Sequence, residues 1–188
     1  MSPSATPPAR PGPPKSQLPG ERGEFLRSLA EQRANLLITV RGLDDARARA
    51  RSTVSELTLG GLIRHLTYEE RNWMQILAAG DGRAPETMFD TDQYRMPEDA
   101  TLAGLLEDYA AAARTTERVV ASLADLDRTV PLPGSPWSPP GTVHWSARRV
   151  LLHLVRETAQ HAGHADIIRE SLDGASTTAQ MVPPGSSA

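Results

Sequence analysis

The residues able to do chemistry in this sequence are its five histidines: His65 alone in the first half, and His144, His153, His161 and His164 close together near the end. On a helix each residue advances about 100°, so with His153 at zero, His164 falls at about 20°, Glu157 at about 40° and His161 at about 80°. Four side chains that can bind a metal therefore share one stripe. Glu157 and His161 form its best chelating pair, because side chains four residues apart lie one above the other and can converge on one ion. The zinc-protease helix motif places two histidines by the same logic. Read alone, the stripe is equally compatible with a solvated polar face.

A second amphipathic segment changes that balance. With His65 at zero, Ile76 falls at about 20°, Leu62 at about 60°, Trp73 at about 80°, Leu66 at about 100° and Leu77 at about 120° on the same wheel. His65 is thus at the edge of an apolar face, with Glu69 on that face at about 40° and Arg64, Arg71 and Gln75 on the other side. A lone histidine on such a face is more often a core residue with one satisfied nitrogen than a ligand. Two inward polar groups opposite a stripe with metal-binding side chains fit that reading poorly. Burying Glu69 or Glu157 without a cation would be costly, and a metal would compensate. The sequence has no cysteine, so nitrogen and oxygen must hold any such ion.

Other features say less. Arg148, Arg149, Arg156 and Arg169 could meet an anionic substrate or be ordinary solvated charges. Trp137 and Trp145 flank a proline-rich stretch and could close a pocket mouth or cover a bundle end. There is no Walker loop, no G-x-G-x-x-G and no serine in a G-x-S-x-G context.

Four helical patterns must position these residues, and no strand is expected. The first runs from Glu21 to Leu43, closing near Gly42. The second follows Thr58 as N-cap and reaches Ala79, the third follows Thr101 to Leu123, and the fourth follows Ser146 to Leu172 with Gly174 at its end. Residues 125 to 144 carry five prolines and read as loop. Leu62, Leu66, Trp73, Leu151, Leu154 and Ile168 are the expected core. Seven of the sixteen prolines lie in residues 1–20, which read as a disordered tail, as do residues 175–188. The folded part, 21–174, reads as a four-helix bundle.

Composition narrows the function classes. Twenty Lys and Arg against 23 Asp and Glu give a net charge of −3 and no clustered basic excess, so a nucleic-acid partner is not expected. No apolar run approaches the roughly 20 residues that span a bilayer, and the start lacks the apolar middle of a signal peptide. A cytoplasmic protein acting on a small molecule is expected, with a homodimer left open.

The stretches SELTLGGLIRHLTYEERNW (55 to 73) and VHWSARRVLLHLVRETAQHAGHADIIRESLDG (143 to 174) resemble the two signature segments of the DinB/YfiT-like superfamily. More narrowly, they are similar to its actinobacterial branch around the mini-circle protein, related to mycothiol-dependent maleylpyruvate isomerases. The Ala-, Arg-, Gly- and Pro-heavy composition is compatible with such a source. The resemblance covers about residues 21 to 174 and implies an all-α, up-down-down-up four-helix bundle. It also implies three ligands to a divalent metal, zinc first, with nickel or iron as alternatives. His65 matches the ligand of the second helix, and Glu157 and His161 match the pair usually written H-x-x-x-H. Glu157 stands at the first position of that pair in place of histidine, and His164 stands where glutamine is usual. This leaves His164 and His153, with Glu69 from the inward face of the second helix, as candidates for a further ligand or for a group supporting the three. Members with known activity resemble transferases of a low-molecular-weight thiol, which in actinobacteria is mycothiol. The leading expectation is a metal-dependent thiol S-transferase acting on a small electrophile. The alternatives are a metal-dependent hydrolase and a non-enzymatic interaction protein with a structural metal.

Overall fold

The computed structural model describes residues 18–135 and 141–181; the proposed tails, apart from residues 18–20 and 175–181, and Trp137 lie outside them. Four long helices dominate: α1 (Gly20–Ile38), α3 (Leu59–Ala79), α4 (Leu102–Ser122) and α5 (Ala147–Asp173). Three of them begin where expected, because a side-chain oxygen accepts an otherwise unpaired N–H of the first turn. Thr58 accepts from the Gly61 amide, Thr101 from Gly104 and Ser146 from Arg149. Gly80 and Gly174 close α3 and α5 in the left-handed conformation, with φ of 66° and 77°, where a Cβ would be strained. The first helix ends at Ile38 rather than near Gly42. There the Thr39 hydroxyl donates to the Leu36 carbonyl at 2.7 Å, and the chain leaves through turns.

Shorter elements depart from the four-pattern reading. They are α2 (Asp45–Arg49), a 3₁₀ turn at Thr91–Tyr94, and α6 (Thr177–Met181), which occupies part of the segment expected as a C-terminal tail. The segment read as pure loop contains a small antiparallel ladder, β1 (Thr129–Pro131) against β2 (His144–Ser146), with Thr129 opposite Ser146. Three-residue strands are too short to show a periodicity of two, and five nearby prolines mask them further. The ladder matters because Ser146 is both the end of β2 and the cap of α5. It fixes where α5 starts and therefore which way its later side chains face.

α1 packs on α5, and α3 packs on both α4 and α5. All six expected core residues are buried. The apolar interior is divided in two. One cluster joins Leu29, Trp73, Leu77, Val120, Leu151 and Leu154; the other joins Leu36, Leu62, Leu66, Tyr109, Ala165 and Ile168. Between them every long helix contributes buried polar groups: Arg33, Glu70, Thr116, and Thr158 with His161. Arg33 binds Glu70 through two parallel hydrogen bonds, Nε to Oε1 at 2.7 Å and Nη2 to Oε2 at 2.5 Å, and the Thr116 hydroxyl donates to the same carboxylate at 2.8 Å. The bundle is thus two short oily cores on either side of a polar layer. Among the described residues no helix is long and apolar enough to cross a membrane.

Candidate metal centre

The face of α3 that carries His65 meets the stripe of α5 that carries Glu157 and His161. One ligand atom from each of the three lies within 4.8 Å of those of the other two. The His65 and His161 rings meet edge to face with centroids 4.8 Å apart, and His161 Nε2 is 3.8 Å from a Glu157 oxygen. His65 is only 2% exposed, yet neither of its ring nitrogens has a hydrogen-bond partner. A neutral imidazole carries one N–H and one lone pair; a cation can take the lone pair but not the N–H, so it is the unfilled lone pair of this buried ring that a metal would answer.

Charge at the site follows from burial. Desolvation holds the His65 imidazole below its ordinary pKa, with Glu69 pulling the other way. His161 is pushed down to about 4, by burial first and then by the neighbouring His65 and His164, against the pull of Glu157 and Glu69. Both rings are therefore neutral at neutral pH, the form in which imidazole binds metal. Two neutral nitrogens and one carboxylate oxygen, with an unpartnered ring in the middle, fit a divalent ion.

The three remaining candidates have different positions. His164 is beside the triad, its Nδ1 3.3 Å from Nδ1 of His161. Glu69 and His153 instead hold each other. A Glu69 oxygen accepts from Trp73 Nε1 at 3.0 Å and lies 3.5 Å from His153 Nε2. Arg156 lies 2.7 Å from His153 Nδ1, and because a guanidinium only donates, that nitrogen accepts and Nε2 carries the proton towards Glu69. Burial raises the Glu69 carboxyl, but bonding to His153 and Trp73 and the nearby imidazoles bring it below its usual value. A metal is thus not needed to compensate Glu69, contrary to the sequence argument. Glu157 likewise accepts from Arg156 at 3.1 Å. The need for a cation rests on His65.

The structure also sorts the residues of lesser promise. His144 lies exposed in β2. Arg148 pairs with Glu21 and Asp127, and Arg169 is buried, donating to the carbonyls of Thr39 and Arg41 and to Asp173. Neither is a free anion site. Trp145 stacks flat on Trp73 at 5.1 Å, with Arg149 over its ring, so it is wall rather than flap.

Two features escaped the sequence reading. Glu70, 1% exposed, falls at about 140° on the wheel of the second helix, beside Leu77 at about 120°, so its burial was detectable. Tyr94, in the 3₁₀ turn, stacks on His65 with centroids 4.1 Å apart and planes 21° from parallel. No periodicity marks a residue in so short an element.

Helical bundle and triad together define a protein class: a mostly helical fold in which two buried histidines and one half-buried carboxylate could hold a divalent ion. The chain belongs to the mycothiol-S-transferase family, whose model matches residues 24–174, and through it to the DinB-like superfamily that its two motifs resemble. No curated protein matches it.

Proposed function

We propose that this chain is a divalent-metal-dependent S-transferase that joins mycothiol to a small electrophile, with His65, Glu157 and His161 holding the ion. The observation that carries the reading is His65, buried without a partner for either ring nitrogen and converging with Glu157 and His161 in a chain of this family. When bound, a divalent ion on two neutral imidazoles and one carboxylate keeps a net charge near +1 and favours the thiolate form of a sulfur ligand at neutral pH. The protein's own part is to keep His65 and His161 neutral, to supply one negative charge through Glu157, and to hold that carboxylate with Arg156. Tyr94 covers one face of His65, and Trp73 and Trp145 pack against His153 beside the site. The chain has no cysteine, so the thiol must arrive as cosubstrate. Zinc suits the donor set first, with nickel and iron as alternatives. A cytoplasmic setting, where thiols stay reduced, goes with this reading.

The test is to load the purified protein with zinc and follow conjugation of a fluorogenic haloalkyl bimane with and without mycothiol. Conjugation should need both the thiol and the metal. His161→Ala should remove bound zinc and conjugation together while far-ultraviolet circular dichroism stays unchanged. Metal-dependent loss of an ester or amide substrate without thiol consumption would make the protein a hydrolase. A replete protein that binds no divalent ion would refute the reading and favour an interaction module.

A further inference from the structure

His65 is gripped by more than the triad, and the segment that grips it is the 3₁₀ turn. Tyr94 covers one face of the ring. The preceding residue, Gln93, is 5% exposed and its Oε1 is also buried without a partner; it approaches His65 without closing a hydrogen bond. Two buried polar groups side by side, one with an N–H to give and the other with an acceptor to fill, form a complementary pair. Glu69, whose charge also acts on His65, is already engaged by Trp73 and His153.

The turn is fixed against α3 by close backbone approach. A Cβ on Gly61 would collide with the Tyr94 carbonyl oxygen, and one on Gly60 with the Met96 sulfur. Asp90 accepts from the Asp92 amide at 2.9 Å, and Arg64 donates to the carbonyls of Asp92 and Arg95. Gly60 and Gly61 lie one turn before His65 on the same helix, so the segment is pinned at the level of the ring.

We propose that Gln93 is the positioning residue of this centre: its Oε1 accepts the N–H of whichever His65 nitrogen does not face the triad, fixing the ring's tautomer and turning the other lone pair towards Glu157 and His161. The inference rests on the metal reading above. It adds that the third ligand is set by a turn that belongs to neither of the helices supplying the ligands, although it packs on α3. A metal-binding histidine usually gives its second N–H to such an acceptor, and losing the acceptor costs about 10- to 100-fold in metal affinity.

The test compares wild type, Gln93→Leu and Gln93→Glu. Zinc affinity is read by competition with a chromophoric chelator, and the His65 tautomer by nitrogen-15 NMR of the metal-free protein. Gln93→Leu should weaken zinc binding by about 10- to 100-fold and turn one dominant His65 tautomer into a mixture. Gln93→Glu, which keeps an acceptor, should restore both. If Gln93→Leu does not fold, Gln93→Met replaces it. Zinc affinity within about twofold of wild type in the leucine or methionine variant, with the tautomer unchanged, overturns the proposal. A wild-type protein that binds no zinc defeats the metal reading instead, and the tautomer comparison in that protein still decides the role of Gln93.

Discussion

Replacing Glu70 with alanine should destabilise the fold by about 3 to 5 kcal/mol, the usual cost of stranding one partner of a buried ion pair. The structure places it at the high end of single substitutions. Arg33 and Glu70 are 6% and 1% exposed, so water screens neither charge. The variant loses two charge-assisted hydrogen bonds and the acceptor of Thr116. Such bonds to charged groups are worth about 1.5 to 3 kcal/mol each, less what relaxation and water entry recover. Burial alone would depress the Arg33 guanidinium, but the Glu70 charge and its hydrogen bonds hold it above its ordinary value, so it stays a cation that must be matched. Replacing both residues, Arg33→Met with Glu70→Leu, removes the charges together and should cost much less than the single change, since apolar substitutes for a whole pair are often neutral. Thr116 keeps its second acceptor, the Ala112 carbonyl, at 3.2 Å. The assay is urea unfolding of the four members of the double-substitution cycle. A loss below about 1 kcal/mol for Glu70→Ala, or a coupling energy near zero between the two positions, would refute the view of this layer as a matched charge pair.

Two further outcomes follow from burial. Leu66, 1% exposed, should cost about 2 to 5 kcal/mol on truncation to alanine; an unfolding change below about 0.5 kcal/mol, the scale of a surface substitution, would mean the inward face of α3 is misassigned. The lowered pKa of His161, about 4 against an ordinary 6.5, gives the metal-free protein a stability that is complete above pH 6.5 and lost as pH falls towards 4, because there the unfolded chain takes up a proton the folded one refuses. Thermal unfolding across that range should show the decline in wild type and a shallower one in His161→Ala; equal slopes would contradict it.

Much of this could be read from the chain because the governing signals are local. Thr58, Thr101 and Ser146 as caps, with Gly80 and Gly174 as stops, set the ends of α3 and α5 and the start of α4, and the wheel around His65 put the right face inward. His65, Glu157 and His161 could be grouped because two are one turn apart and the third stands on an apolar edge. What stayed hidden depends on tertiary contact. Thr39 ends α1 early through a hydroxyl bond to its own helix, and the three-residue strands exist only as a pair. Glu69 and Glu70 are adjacent in the sequence, and which is fully buried depends on where Arg33 of another helix arrives. Tyr94 and Gln93 reach His65 only because two glycines let a distant turn come close.

The division of the interior into two oily halves also sets the vertical alignment of the helices. In a continuous aliphatic core, one helix can slide along another by a turn, about 5.4 Å, and exchange leucine for leucine at little loss. Here such a slide would draw Arg33 or Glu70 out of its match and into hydrocarbon. That penalty fixes α1, α3 and α4 against one another, and α5 is tied to the end of α1 in turn by Arg169, which donates to the Thr39 and Arg41 carbonyls. A slip of one turn between α3 and α5 would separate His65 from the Glu157 and His161 pair by more than their present 4.8 Å spacing. An ion pair that touches none of the three is therefore the ruler that keeps them at one height.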